Sequence, residues 1–104
     1  MGNKSFHVIF ARNSKEHLQS IAEYIAPDDP IRAISFCDEL IDYALTLSKS
    51  PYKGTPYNIE GHEGLRVIGY GKRYKYLIIY KVIEEEGVVE VWAFWHGSRM
   101  PPEL

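Results

Sequence analysis

The sequence predicts an α+β domain in which a helical hairpin packs on a mainly antiparallel four-stranded sheet, in the order β-α-α-β-β-β. Three observations predict it. An alternating run near the start, SFHVIFA, precedes two segments of helical period separated only by PDDP. Three strand-like runs then follow in succession, joined by short acid-rich or glycine-bearing turns.

In the first strand Phe6, Val8 and Phe10 alternate with Ser5, His7, Ile9 and Ala11. Asn13 or Ser14 is positioned to cap the first helix, with Glu16 three residues after Asn13 in the spacing of a capping box. Leu18, Ile21, Ala22 and Ile25 recur at i, i+3, i+4 and i+7, which is one apolar helix face. The second helix opens with Asp29 as N-cap and Pro30 at a position whose N–H has no helical partner. Its expected buried stripe runs through Ile34, Cys37, Ile41 and Leu45, flanked by Phe36, Leu40, Ala44 and Leu47, and SPYKGTP ends it. The strands that follow are LRVIGY, YKYLIIYKVI and VVEVWAFWH, with Gly71 and Gly87 in the turns. The middle run is richest in aromatic and β-branched residues and is expected at the centre of the sheet.

At 104 residues the chain has the length of one domain, 1–104. Its 12 Lys+Arg against 14 Asp+Glu give a net charge of −2, which argues against a general nucleic-acid coat. The charge is unevenly spread, however. Residues 66–83 carry Arg66, Lys72, Arg73, Lys75 and Lys81 with no acid, whereas residues 27–50 and the Glu84–Glu86 turn are acidic. The lone cysteine, Cys37, excludes an internal disulfide and reads as core packing. No run has the apolar length of a membrane span and no signal pattern opens the chain, so a cytoplasmic protein is expected.

No phosphate loop, dinucleotide fingerprint, zinc-spaced cluster or Gly-x-Ser-x-Gly is present. His7, His17, His62 and His96 share no metal-ligand spacing, and His17 is expected to face solvent. What remains is Arg66, His96 and Arg99. A strand ending in His and Arg beside another carrying Arg gathers a titratable imidazole and cations, enough to hold a phosphate and move a proton. The same residues serve equally as an ion-paired arginine and a packed strand end. Lys72, Arg73, Lys75 and again Arg99, with Tyr70, Tyr74 and Tyr76 near the first three, form a second candidate set, for contact with a target or a phosphate.

The strings GLRVIGYGKRYKYLIIYKV and VVEVWAFWHGSR, taken with YIAPDDPIRAISFCDEL before them, resemble the RelE/ParE toxin superfamily, most of all its ParE or plasmid stabilisation branch. The shared features are Gly64-Leu65-Arg66, the glycine turn at Gly71, Tyr76 to Tyr80 with its alternating tyrosines, and His96-Gly97-Ser98-Arg99. They span nearly the whole chain in the order of the elements above. The resemblance implies a RelE/ParE-like fold and the toxin of a type II toxin–antitoxin pair. That toxin would be neutralised by a cognate antitoxin, oligomeric with it, and without cofactor or metal. ParE-like members poison DNA gyrase and inhibit growth, whereas RelE-like members cut mRNA on the ribosome.

This sequence departs from the nuclease pattern. His62, Glu63 and Gly64 stand where lysines precede the Leu-Arg, Leu77 stands where an arginine separates the tyrosines, and the tail MPPEL has no tyrosine. The resemblance therefore implies gyrase as target. The alternatives are a ribosome-dependent mRNA endonuclease, with His96 as acid/base and Arg66 and Arg99 holding phosphate, and a non-toxic member that only binds antitoxin and regulates transcription.

Overall fold

The computed structural model describes residues 5–97. Its elements are β1 (His7–Phe10), α1 (Arg12–Ile25), α2 (Pro30–Leu45), β2 (Thr55–Pro56), β3 (Leu65–Tyr70), β4 (Tyr76–Ile83) and β5 (Val88–His96). The sheet order is β1-β5-β4-β3-β2, with β4 at the centre as its composition predicts. β3, β4 and β5 form an antiparallel meander, and β1 pairs in parallel with β5.

The α+β class and element order agree with the sequence; the strand count is five instead of four. The extra strand, β2, pairs Thr55 and Pro56 with Val67 and Arg66. Two residues carry no period-2 signal, and proline is tolerated there because β2 is an edge strand.

α2 begins as predicted: the Asp29 carboxylate accepts from the Arg32 N–H at 2.9 Å, and Pro30 follows the cap. α1 does not use the expected capping box. It starts at Arg12 with Ala11 as N-cap, and no side chain caps it. The Ala11 N–H is held by the Val91 carbonyl at 2.9 Å, so the sheet fixes where the helix starts. Ser14, fully buried, turns its hydroxyl back to the Ala11 carbonyl at 2.7 Å. His17 is half-buried, not solvent-facing, and its Nδ1 is buried without a partner.

The larger core lies between the helices and one sheet face. Phe36, Leu40, Ala44 and Leu47 meet Ile68, Ile78, Tyr80, Val89, Val91 and Phe94 there, with Ile21 from α1. The predicted stripe on α2 is displaced by this arrangement. The row facing the sheet is Ala33, Phe36, Leu40, Ala44, the flank of the expected stripe; along its expected centre Cys37 and Ile41 are half-buried, while the ends turn outward, with Ile34 68% exposed and Ile31, one turn earlier, 80% exposed. Two adjacent rows of this helix are apolar, and period alone does not say which one meets the sheet.

The spacing Val89, Val91, Phe94 breaks strict alternation because the β4–β5 register shifts between Ile79 and Tyr80. Ile79 pairs with Ala93 and Tyr80 with Val91, leaving Trp92 as the extra residue of a bulge. Beyond it, Phe94 lies opposite Ile78 and His96 opposite Tyr76. The other sheet face holds a smaller cluster of Leu65, Ile79 and Ala93 under Tyr57, Ile59, Trp92 and Trp95.

Candidate contact site at the β3–β4 turn

Tyr70 of β3 and Tyr76 of β4 are directly paired, and residues 71–75 connect them. Gly71 enters the turn at φ 85° and ψ −177°, a backbone conformation that L side chains rarely adopt. The tip itself is Arg73 (φ 60°, ψ 25°) and Tyr74 (φ 52°), closed by the Lys75 N–H on the Lys72 carbonyl at 3.3 Å. Two successive positive φ angles define the hairpin turn that normally takes Asn-Gly. Here a long cation and an aromatic ring occupy it, and left-handed backbone costs such residues about 1–2 kcal/mol each.

Packing holds the strain in place. A Cβ added at Gly69 would lie 2.5–2.6 Å from Cβ, Cγ and Cδ1 of Tyr74, so the tyrosine lies directly on the bare backbone of that glycine. On the other side, the Gly97 N–H donates to the Lys75 carbonyl at 2.7 Å and ties the turn to the end of β5. Tyr74 remains 70% exposed.

The turn and the end of β5 enclose an open cavity of about 690 Å³ lined by Lys72, Arg73, Tyr74, Lys75, Leu77 and His96. Among the described residues no carboxylate forms an ion pair with any of these cations. The His96 ring meets Tyr76 edge-on, with centroids 4.9 Å apart. Lys72 and Lys75 also border a second recess that contains Glu39. That carboxylate is already engaged: it accepts from Arg32 Nη1 at 2.7 Å and from the Tyr70 hydroxyl at 2.9 Å. The Arg32 hydrogen bond, and then that of Tyr70, lower the Glu39 pKa; the same Glu39 contact raises that of Tyr70. Glu39 forms no ion pair with Lys72 or Lys75.

The sequence profile of the ParE toxin of type II toxin–antitoxin systems, parDE, matches residues 8–101. The chain belongs to this ParE toxin family. Solved structures of similar fold include the ParDE system of Pseudomonas aeruginosa, at 13% identity and a TM-score of 0.73, covering 89% of this chain and 97% of that one. The RelBE2 toxin–antitoxin complex of Mycobacterium tuberculosis follows at 20% and 0.67, covering 88% and 98%. The intact RelBE complex of Escherichia coli gives 17% and 0.60, covering 91% and 100%. These structures share the fold of this chain, and with the family match they agree with the RelE/ParE-like architecture. Comparison with curated proteins gives no significant match.

In this ParE-family toxin, Arg66 lies away from the cavity. Its Nε and Nη2 donate to the Gly54 carbonyl at 3.1 and 2.8 Å, Nη2 also reaches the Tyr52 carbonyl at 3.2 Å, and the guanidinium sits 5.4 Å over the Tyr52 ring. Arg66 is opposite Tyr80, whereas His96 is opposite Tyr76, four residues further along β4. Strand geometry separates them by about 13 Å along the sheet and roughly 10 Å across it. The expected grouping of Arg66 with His96 therefore does not form, while Lys72, Arg73, Lys75 and His96 do come together. Arg99 lies outside the described residues.

Sequence reasoning missed Tyr80 as a polar anchor. Its buried hydroxyl donates to the Pro51 carbonyl at 2.7 Å and accepts from the Gly54 N–H at 3.0 Å. Gly54 has no room for a side chain, since a Cβ would lie 2.6 Å from that hydroxyl and 2.7 Å from the Val67 carbonyl. A glycine within a proline-bounded loop was the available signal. Cys37 packs against the core with its thiol toward the Leu18 carbonyl, and burial raises its pKa, in keeping with a packing role.

Proposed function

We propose that this ParE-family toxin inhibits growth by protein contact with DNA gyrase and is neutralised by a cognate antitoxin. The observation that carries the reading is the position of Arg66: it is held by the Tyr52 and Gly54 carbonyls, far from the imidazole a nuclease would pair with it. Losing a cation from a transition state typically costs a factor of hundreds or more, so an mRNA-cleaving centre without Arg66 would be severely weakened. Support for an antitoxin comes from the family itself and from the complexes of similar fold. The outward apolar row at Ile31 and Ile34 offers the surface on which an amphipathic antitoxin segment would lie.

The test is gyrase supercoiling with the purified toxin, with relaxed or cleaved DNA expected; unimpaired supercoiling at excess toxin would sink the proposal. A ribosome-dependent mRNA endonuclease is the second reading, favoured by the meeting of His96 with Lys72, Arg73 and Lys75. Toxin-induced cuts in an mRNA on translating ribosomes, mapped by toeprinting, would decide for it.

A further inference from the structure

From the strained turn and its cavity we infer that residues 72–75, with His96, form the hot spot by which this toxin grips an acidic, apolar-flanked peptide segment of its protein target. The inference rests on the protein-contact reading above and adds the chemistry of the contact.

Three independent features converge on the turn. Lys72, Arg73 and Lys75 border one cavity, and no described carboxylate pairs with them. Leu77 and the largely exposed Tyr74 give the same cavity an apolar wall. The backbone beneath is held in a costly conformation at Arg73 and Tyr74, pinned by Gly69 on one side and Gly97 on the other. Strain of this kind persists where the surroundings over-determine it, and it clusters at working sites. A rigid Tyr and Arg on a preorganised tip match the composition of interface hot spots.

The choice of peptide over nucleic acid follows from charge and extent. The cations sit within one turn, enough for one or two anionic groups, whereas a polynucleotide groove needs a track of them. A strand continued past Lys72 and Lys75 would meet the Glu39 carboxylate, and the chain as a whole carries −2. A carboxylate seated among the turn cations, with a neighbouring aliphatic side chain against Tyr74 and Leu77, meets neither obstacle.

The test uses the whole toxin and a short fluorescein-labelled peptide of alternating glutamate and leucine, read by fluorescence anisotropy. An oligothymidine of equal length and an alternating lysine–leucine peptide serve as comparison probes. The acidic peptide is expected to bind best. The double variant Lys72→Glu, Arg73→Glu should weaken it about tenfold or more. Tyr74→Ala, which leaves every charge in place, should weaken it severalfold. Binding unchanged in the charge-reversal variant, or equal or tighter binding of oligothymidine, would overturn the inference. No gyrase is present in this measurement, so its failure is separable from a failure of the supercoiling assay. Conversely, peptide binding without gyrase inhibition would keep the site and remove gyrase as the target.

Discussion

Tyr80 shows how one side chain serves packing and polarity together. Its ring fills the centre of the core while its hydroxyl closes the loop at Pro51 and Gly54. Tyr80→Phe keeps the ring and leaves a buried carbonyl and N–H without that partner, so it should lower unfolding free energy by about 1–3 kcal/mol in urea titration. An unchanged midpoint would show that the loop satisfies itself some other way. Arg73 is the reverse case, a residue that costs stability where it stands. Its φ of 60° suits glycine, so Arg73→Gly should raise stability by about 1 kcal/mol. The same substitution should weaken growth inhibition, because it removes a cation from the turn. A variant that is more stable and less toxic is the signature of strain retained for function. If thermal melting instead falls, the turn is not strained at that residue.

At the level of elements, α2 carries two adjacent apolar rows with different duties. Phe36→Ala removes a ring from the core that also touches Tyr70 and Tyr76, and it should cost about 3–5 kcal/mol. Ile34→Glu lies on the outward row and should stay within about 0.5 kcal/mol of the parent in chemical denaturation, while weakening capture by a co-expressed antitoxin. Comparable losses for the two variants would mean that both rows are core. This pair also marks the limit of what the sequence makes legible. Helix period identifies α2, and Asp29-Pro30 fixes its start through local chemistry alone. Choosing between neighbouring apolar rows requires knowing where the sheet is. The Trp92 bulge is similarly opaque, because Val88 to His96 reads as a continuous strand and only pairing with β4 shows that one residue is extra. The meeting of Lys72, Arg73 and Lys75 with His96 was within reach, since a hairpin brings its turn near the end of the next strand. The diversion of Arg66 was not, because it depends on how residues 51–54 fold back over β3.

For the molecule as a whole, stability and activity should respond to pH and substitution in separable ways. Burial lowers the His17 pKa below 6.5, against a smaller opposing effect of Glu16. Below pH 6.5 the unfolded chain therefore binds protons more readily, and stability falls as pH drops towards the lowered folded value. Glu39 adds a second acid-side loss: its depressed folded pKa gives stability present above the ordinary carboxylate value and lost as pH falls through the folded one. His17→Gln should flatten the decline that sets in as pH falls through 6.5 and leave the carboxylate limb at lower pH. Denaturant titrations across this fall in pH would read both, and an unchanged slope would remove His17 as a cause. The sharper division lies between Arg66 and His96. Arg66→Ala withdraws the donors that hold the Tyr52 and Gly54 carbonyls, so it should cost about 1–3 kcal/mol and lower toxicity only as far as it lowers the folded population. His96→Gln sits outside that latch and should leave the melting temperature close to the parent; as one wall of the turn cavity it should weaken growth inhibition only severalfold, because the turn cations stay in place. A nuclease built on these two residues would lose activity in both variants at unchanged fold. Growth after induction, measured beside the thermal melt and the acidic-peptide binding of each purified variant, separates the two mechanisms: a folded His96→Gln protein that binds the peptide as the parent does and yet loses all toxicity would overturn contact poisoning in favour of chemistry at the imidazole.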